Sequence, residues 1–105
     1  MSETVNQAAF DAENLSDWRF VDATLRSRFR TKNFATGLRL VNLIGDAAEA
    51  QDHHPDIDLR YGYVDVCMWS HDSDGVTSRD VQLARSVSEF AASLGIASEE
   101  QPKSG

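Results

Sequence analysis

Cysteine occurs once in this chain of 105 residues, as Cys67, and histidine only three times, as His53, His54 and His71. One thiol makes no internal disulfide, so a disulfide framework is excluded, and a closed Cys/His zinc site lacks the thiolates it would need. No apolar run approaches the roughly 20 residues that cross a bilayer. The opening Met1-Ser2-Glu3-Thr4 has neither the basic start nor the apolar stretch of a secretory leader. The expectation is an untargeted, cytoplasmic protein with no membrane partner. Positive charge is the minority sign: ten Lys and Arg against seventeen Asp and Glu leave a formal charge of -7, which argues against bulk nucleic-acid binding. What is present, 41% apolar and 26% charged residues in 11.6 kDa, suits one soluble domain with one core. Residues 1–105 are accordingly expected as a single domain, with the polar stretch 98–105 as a loose tail.

Hydrophobic periodicity divides the chain. Val5, Ala8, Ala9 and Ala12 fit a short helix over about 4–12. From Trp18 the period changes to two, and after a break at Asp22-Ala23 a second alternating run places Leu25, Ser27 and Phe29 opposite Arg26, Arg28 and Arg30. These two runs predict a hairpin with its arginine face toward water. A helix follows, capped by Thr31 or Asn33 and ending near Gln51, because Pro55 excludes helix close behind it. Its apolar positions are Phe34, Leu38, Val41, Gly45 and Ala48, widened by Leu40, Leu43, Ile44 and Ala47. Asp58 to Tyr61 is expected to pair with Val64 to Trp69 across Tyr61-Gly62-Tyr63, with Val64, Val66 and Met68 on one face and Asp65, Cys67 and Trp69 on the other. Thr77-Ser78-Arg79-Asp80 reads as a capping box for a last helix, which Gly95 stops. The order α-β-β-α-β-β-α predicts an α+β fold, a four-stranded antiparallel sheet with helices packed on one face.

All three histidines fall within nineteen positions and outside the expected helices. His53 and His54 precede the third strand, and His71 follows the fourth. If those strands are neighbours, their link and far end lie at the same sheet edge, where the imidazoles can converge. Imidazole changes charge near neutral pH, so such a cluster suits proton transfer. Three readings stay open on chemistry alone: a polar loop before proline, a three-histidine metal site with one open position, and a metal-free acid–base site.

The stretch Glu49-Ala50-Gln51-Asp52-His53-His54-Pro55, with Tyr61, Ser70-His71-Asp72 and Thr77-Ser78-Arg79-Asp80, resembles the signature of the pterin-4a-carbinolamine dehydratases. In that pattern an acid stands four residues before a His-His-Pro, an aromatic six residues after the proline, then another histidine, then an aspartate opening the final helix. The resemblance extends upstream through Trp18, Leu25, Phe29 and Lys32-Asn33-Phe34. It implies a four-stranded antiparallel sheet backed by helices. It also implies loss of water from a 4a-hydroxytetrahydropterin to give the quinonoid dihydropterin, with no metal and no organic cofactor, in support of tetrahydropterin recycling. His53 and His71 are the leading acid–base candidates, with His54 positioning substrate and sharing in proton transfer. Asp52, Trp69, Ser70 and Asp72 are implied to line the substrate pocket, and Glu49 and Asp80 to orient imidazoles or bond within the site. For Asp80 the capping box supplies an independent structural role. Tyr61 is expected in the core or at the rim, and Cys67 as a buried strand filler. Asp52 stands where asparagine is common in the family, and Trp69 where a small hydroxyl residue is common.

The resemblance further implies a homodimer or homotetramer and a functional link to an aromatic amino-acid hydroxylase. A non-enzymatic alternative is a dimerisation or assembly role toward a protein partner. A second rival rests on Arg19, Arg26, Arg28, Arg30, Lys32 and Arg39: six basic residues against Asp22 alone make the segment 19–39 locally +5. Such a row meets phosphates or simply makes a solvated sheet face; nucleic acid is the less expected partner.

Overall fold

The computed structural model describes residues 3–99. Helix α1 (Gln7–Ala12) leads into the hairpin β1 (Arg19–Val21) and β2 (Thr24–Arg30), then α2 (Phe34–Gln51), the hairpin β3 (Asp56–Leu59) and β4 (Tyr63–Met68), α3 (Ser78–Ser93), and a two-residue strand β5 (Ala97–Ser98). The strands form one antiparallel sheet in the order β1-β2-β4-β3, and β5 adds to β2 beyond the end of β1. The sheet therefore has five strands rather than four. β5 is too short to carry a period. It is held by pairing of Phe29 with Ser98 and by the Ser98 hydroxyl, which donates to Asp17 at 2.7 Å. Of the expected tail, Ser98 and Glu99 are thus tied to β2, and 100–105 lie outside the described residues.

The period-two pattern has the expected physical meaning. Leu25, Ser27 and Phe29 of β2 and Val64, Val66 and Met68 of β4 are buried on one face, and Arg26, Arg28 and Arg30 are exposed on the other. The helices cover the first face, α3 burying Val81, Leu83, Ala84, Val87 and Ala91. Trp18 closes the core edge-on against Phe29, and its indole N–H donates to Ser88 of α3 at 2.9 Å.

Four local expectations need correction. Helix α1 starts at Gln7, because Asn6 caps it by accepting from the Ala9 N–H at 2.9 Å. Of the two expected caps of α2, Asn33 is the one used, as expected: it accepts from the Thr36 N–H at 2.8 Å, while Thr31 is buried. The packed row of α2 is Gly37, Leu40, Ile44 and Ala48, whereas Phe34 and Leu38 face outward at 46% and 44% exposure. An apolar helix offers more than one row, and only the docking distance chooses among them. Gly37 belongs to the packed row: a β-carbon there would stand 2.8 Å from Leu59 Cδ1, so α2 lies close over β3 and a larger residue would require the Leu59 side chain to shift. Finally, β3 ends at Leu59 because the Arg60 N–H closes the turn on the Tyr63 carbonyl at 2.9 Å, which leaves Tyr61 at the tip and 73% exposed. Cys67 is half-buried and lies on the open face, not in the core.

Candidate active site

Antiparallel pairing of Asp56 with Cys67 brings the start of β3 and the end of β4 to the same edge, so the segments bearing His53, His54 and His71 meet there. Three local devices set each ring. The first is the end of α2. Asp52 adopts the left-handed conformation (φ 50°), and the Asp52 and His53 N–H groups close onto the Glu49 and Ala48 carbonyls. This reverses the chain before Pro55 and turns His53 toward α3. A left-handed residue disfavours most side chains and suits asparagine or glycine, which accounts physically for asparagine being common at this position.

The second device is the buried network under His53. His53 is 8% exposed and Asp80 is fully buried. His53 Nε2 lies 2.5 Å from Asp80 Oδ1, and Asp80 Oδ2 accepts from the Ser70 hydroxyl at 2.8 Å and from the Thr77 N–H at 2.9 Å. Ser70 Oγ is also 2.7 Å from Thr77 Oγ1. Since the one Ser70 proton goes to Asp80, Thr77 must donate to Ser70. With Asp80 accepting on both oxygens, the network places a proton on His53 Nε2, so that Nδ1 is the acceptor nitrogen of the neutral ring. A buried carboxylate is tolerable only with such full satisfaction. Asp80 also completes the capping box at the start of α3, so its structural and site roles coincide.

The third device is the strand alternation carried past the end of β4. Ser70 extends the buried row Val64, Val66, Met68, while Trp69 and His71 extend the open row Asp65, Cys67. Ser70 is 1% exposed and supports Asp80 from below, a role that this alternation could have revealed in the sequence. The supporting role of Thr77 was legible only as a cap. Trp69 and His71 stack, with ring centroids 4.3 Å apart and planes inclined by 20°. His71 begins a short 3-10 turn, His71–Ser73, clamped at its base by the Ser70–Gly75 bridge.

The remaining candidates lie at the surface. His54 Nε2 is 2.5 Å from Glu49 Oε2, with both side chains more than half exposed. Asp72 accepts from Arg79 at 2.6 Å, and that guanidinium holds the Asp72 carboxyl below the ordinary carboxylate value. Asp52 makes no hydrogen bond through its side chain among the described residues; its contribution there is backbone geometry. Among the described residues, no group of three or more His, Cys, Asp or Glu side chains is arranged to hold a metal ion.

A trough of about 530 Å³ lies elsewhere, on the open face of the sheet between Arg19, Arg26 and Arg28 and the acids Asp56, Asp58 and Asp65. No histidine lines it. Its arginine side is partly neutralised: Arg28 donates twice to Asp65, at 2.7 and 2.9 Å, and lies over the Tyr63 ring. The buried His53–Asp80 pair, its carboxylate accepting on both oxygens, is the feature that ordinary packing does not require, rather than this concavity. No helix is long and apolar enough to cross a membrane among the described residues.

Comparison with known proteins gives the family. The chain is 38% identical over 84 residues to a protein of Aquifex aeolicus provisionally named a pterin-4-alpha-carbinolamine dehydratase, covering 80% of this chain and 85% of that protein. A similarly named protein of Thermosynechococcus vestitus is 36% identical over 93 residues, covering 87% and 98%. A crystal structure from Brucella melitensis, described as a transcriptional coactivator/pterin dehydratase, superposes with a TM-score of 0.80 at 28% identity, covering 85% of this chain and 99% of that one. Residues 1–90 match the family described as Pterin 4 alpha carbinolamine dehydratase, and every histidine of the chain falls inside that match. The chain belongs to the pterin-4a-carbinolamine dehydratase family.

Proposed function

We propose that this protein removes water from a 4a-hydroxytetrahydropterin to give the quinonoid dihydropterin. The carrying observation is the buried His53–Asp80 pair, which fixes one imidazole with a free nitrogen inside the family's own signature. The substrate carbon bears a hydroxyl beside a ring N–H. Loss of the N–H proton to a base lets the nitrogen lone pair form the C=N bond, and the C–O bond breaks as an acid protonates the departing oxygen. One proton is taken, one is given, and one water leaves.

In this reading His53 Nδ1 is the base, since Nε2 is engaged by Asp80, and protonated His71 is the acid. His54, held by Glu49, positions the pterin. Exchange with solvent water restores both rings after each turnover. Acid–base catalysis of this kind accounts for roughly 10²–10⁴-fold in rate and needs no metal or organic cofactor. Asp52 and Asp72 supply polar groups at the rim, and Ser70 acts through Asp80.

The physiological setting we propose is cytoplasmic recycling of a tetrahydropterin used by an aromatic amino-acid hydroxylase. A homodimer or homotetramer is supported by Phe34 and Leu38, two exposed apolar side chains one turn apart on α2. Light scattering on the wild type and on Phe34→Ser/Leu38→Ser checks that point, with a smaller particle expected for the double variant.

The central test is dehydration of a freshly generated carbinolamine by wild type, His53→Ala, His54→Ala and His71→Ala, with and without chelator. Loss of roughly 10²-fold or more is expected for His53→Ala and His71→Ala, a smaller loss for His54→Ala, and no effect of chelator. Full turnover by both His53→Ala and His71→Ala overturns the assignment, and chelator-sensitive turnover overturns the metal-free mechanism.

A further inference from the structure

Trp69 stands two residues before His71 and shares its side of the strand end, and the two rings lie nearly parallel with centroids 4.3 Å apart. That contact occupies one flat face of the His71 ring and one face of the indole. The intervening Ser70 points the other way, pinned by Thr77 and Asp80, so the backbone between the two rings is fixed. His71 is exposed at the start of a short 3-10 turn, and its ring has no hydrogen-bond partner among the described residues to set its plane. His53 has Asp80 for that purpose and His54 has Glu49. His71 has Trp69.

From this we infer that Trp69 is a positioning residue for His71 rather than a stacking platform for substrate. Stacking leaves the ring nitrogens, which lie at the edge, directed away from the indole and free to exchange a proton, while restricting rotation about the side-chain bonds. It also closes the Trp69 side of His71, so the pterin approaches from the opposite side of that ring. The inference rests on the proposed acid role of His71, and it assigns to an aromatic at this position a function that a small hydroxyl side chain would have to fulfil by other means.

Two measurements test it. In steady-state dehydration, Trp69→Ala is expected to lower kcat on the order of tenfold with KM within about twofold of wild type, because a loosened acid is misplaced while the substrate contacts persist. Trp69→Phe, which can still stack, is expected to recover kcat to within about twofold. Independently of activity, the rate at which diethyl pyrocarbonate modifies each histidine is followed by peptide mass spectrometry. His71 is expected to react at least about threefold faster in Trp69→Ala, with His54 unchanged as the internal reference. A raised KM with unchanged kcat would show that Trp69 contacts the substrate and overturns the inference, as does failure of Trp69→Phe to rescue. Equal His71 modification in wild type and Trp69→Ala overturns the stack itself. Should the wild type not dehydrate the carbinolamine, the proposed function fails, while the modification rates still decide whether Trp69 shields His71.

Discussion

His53 and Asp80, 27 residues apart in sequence, form a 2.5 Å contact in which the carboxylate is fully buried and the imidazole nearly so. Every proton in the surrounding network has one destination. Thr77 donates to Ser70, Ser70 to Asp80, and His53 to the other carboxylate oxygen. The identity of a single nitrogen–proton bond on His53 therefore depends on the acceptor character of Asp80.

Asp80→Asn tests this dependence. The amide must keep its oxygen toward the Thr77 N–H, which presents its NH₂ to His53 and moves the imidazole proton from Nε2 to Nδ1. The proposed base is then blocked although the shape is unchanged. A fall in kcat of about 10²-fold or more is expected, and nitrogen-15 NMR of the His53 ring should report the exchanged tautomer. Unchanged kcat with an exchanged tautomer would remove His53 Nδ1 from the mechanism.

Ser70→Ala deletes one donor to Asp80 and leaves the Thr77 hydroxyl without its acceptor. Urea denaturation is expected to show a loss of about 1–3 kcal/mol, the range for unsatisfied buried polar groups. Activity should fall less than in Asp80→Asn, because His53 keeps its partner.

Ala23 has φ 57° beside Asp22 at φ 50°, so the two residues between Val21 and Thr24 make a hairpin turn of the mirror-image kind that glycine favours. Ala23→Gly removes the left-handed penalty of roughly 1–2 kcal/mol but adds freedom to the unfolded chain, for a net gain of about 0.5–1 kcal/mol. Thermal unfolding should shift upward by a few degrees with no change in kcat.

Asp72 titrates below its ordinary value of 3.8, chiefly through its hydrogen bond from Arg79. A depressed carboxylate contributes stability that is present above the unfolded value and disappears as pH falls through the folded one. The contribution is therefore complete at neutral pH and is lost only on acidification below about 3.8. In Arg79→Ala, carboxyl carbon-13 NMR should show Asp72 returning toward 3.8. Stability at neutral pH should change little, because the pair is exposed and solvent-screened.

Alternation made β2 and β4 legible, because each is buried on one face only, and the capping residues Thr77 and Asp80 announced α3. The docking face of α2 was not legible. Its apolar residues surround much of the helix, and the packed row, with Gly37 set against Leu59, depends on a partner in another segment that no single-segment pattern encodes. β5 is illegible in the sequence for a different reason, since two residues contain no period. At the site, the histidines and Asp80 were visible as a spaced signature. The inward turn of Ser70 and the Trp69–His71 stack were not, although both follow from continuing the β4 alternation three residues beyond the strand. The role of Asp52 was hidden in its backbone dihedral, φ 50°, rather than in its carboxylate.

The pairing of β3 with β4, with Ile57 opposite Val66 and Asp56 opposite Cys67, has a consequence for folding fidelity. Slippage by one residue would invert every side chain on the displaced strand. At β4 it would aim Trp69 and His71 into the core and turn Ser70 to solvent, stripping Asp80 of a donor in the same event. A misregistered molecule could therefore not retain part of this arrangement. The His53–Asp80–Ser70 network and correct strand register would be lost together, so the geometry of the candidate site reports on the register of the sheet.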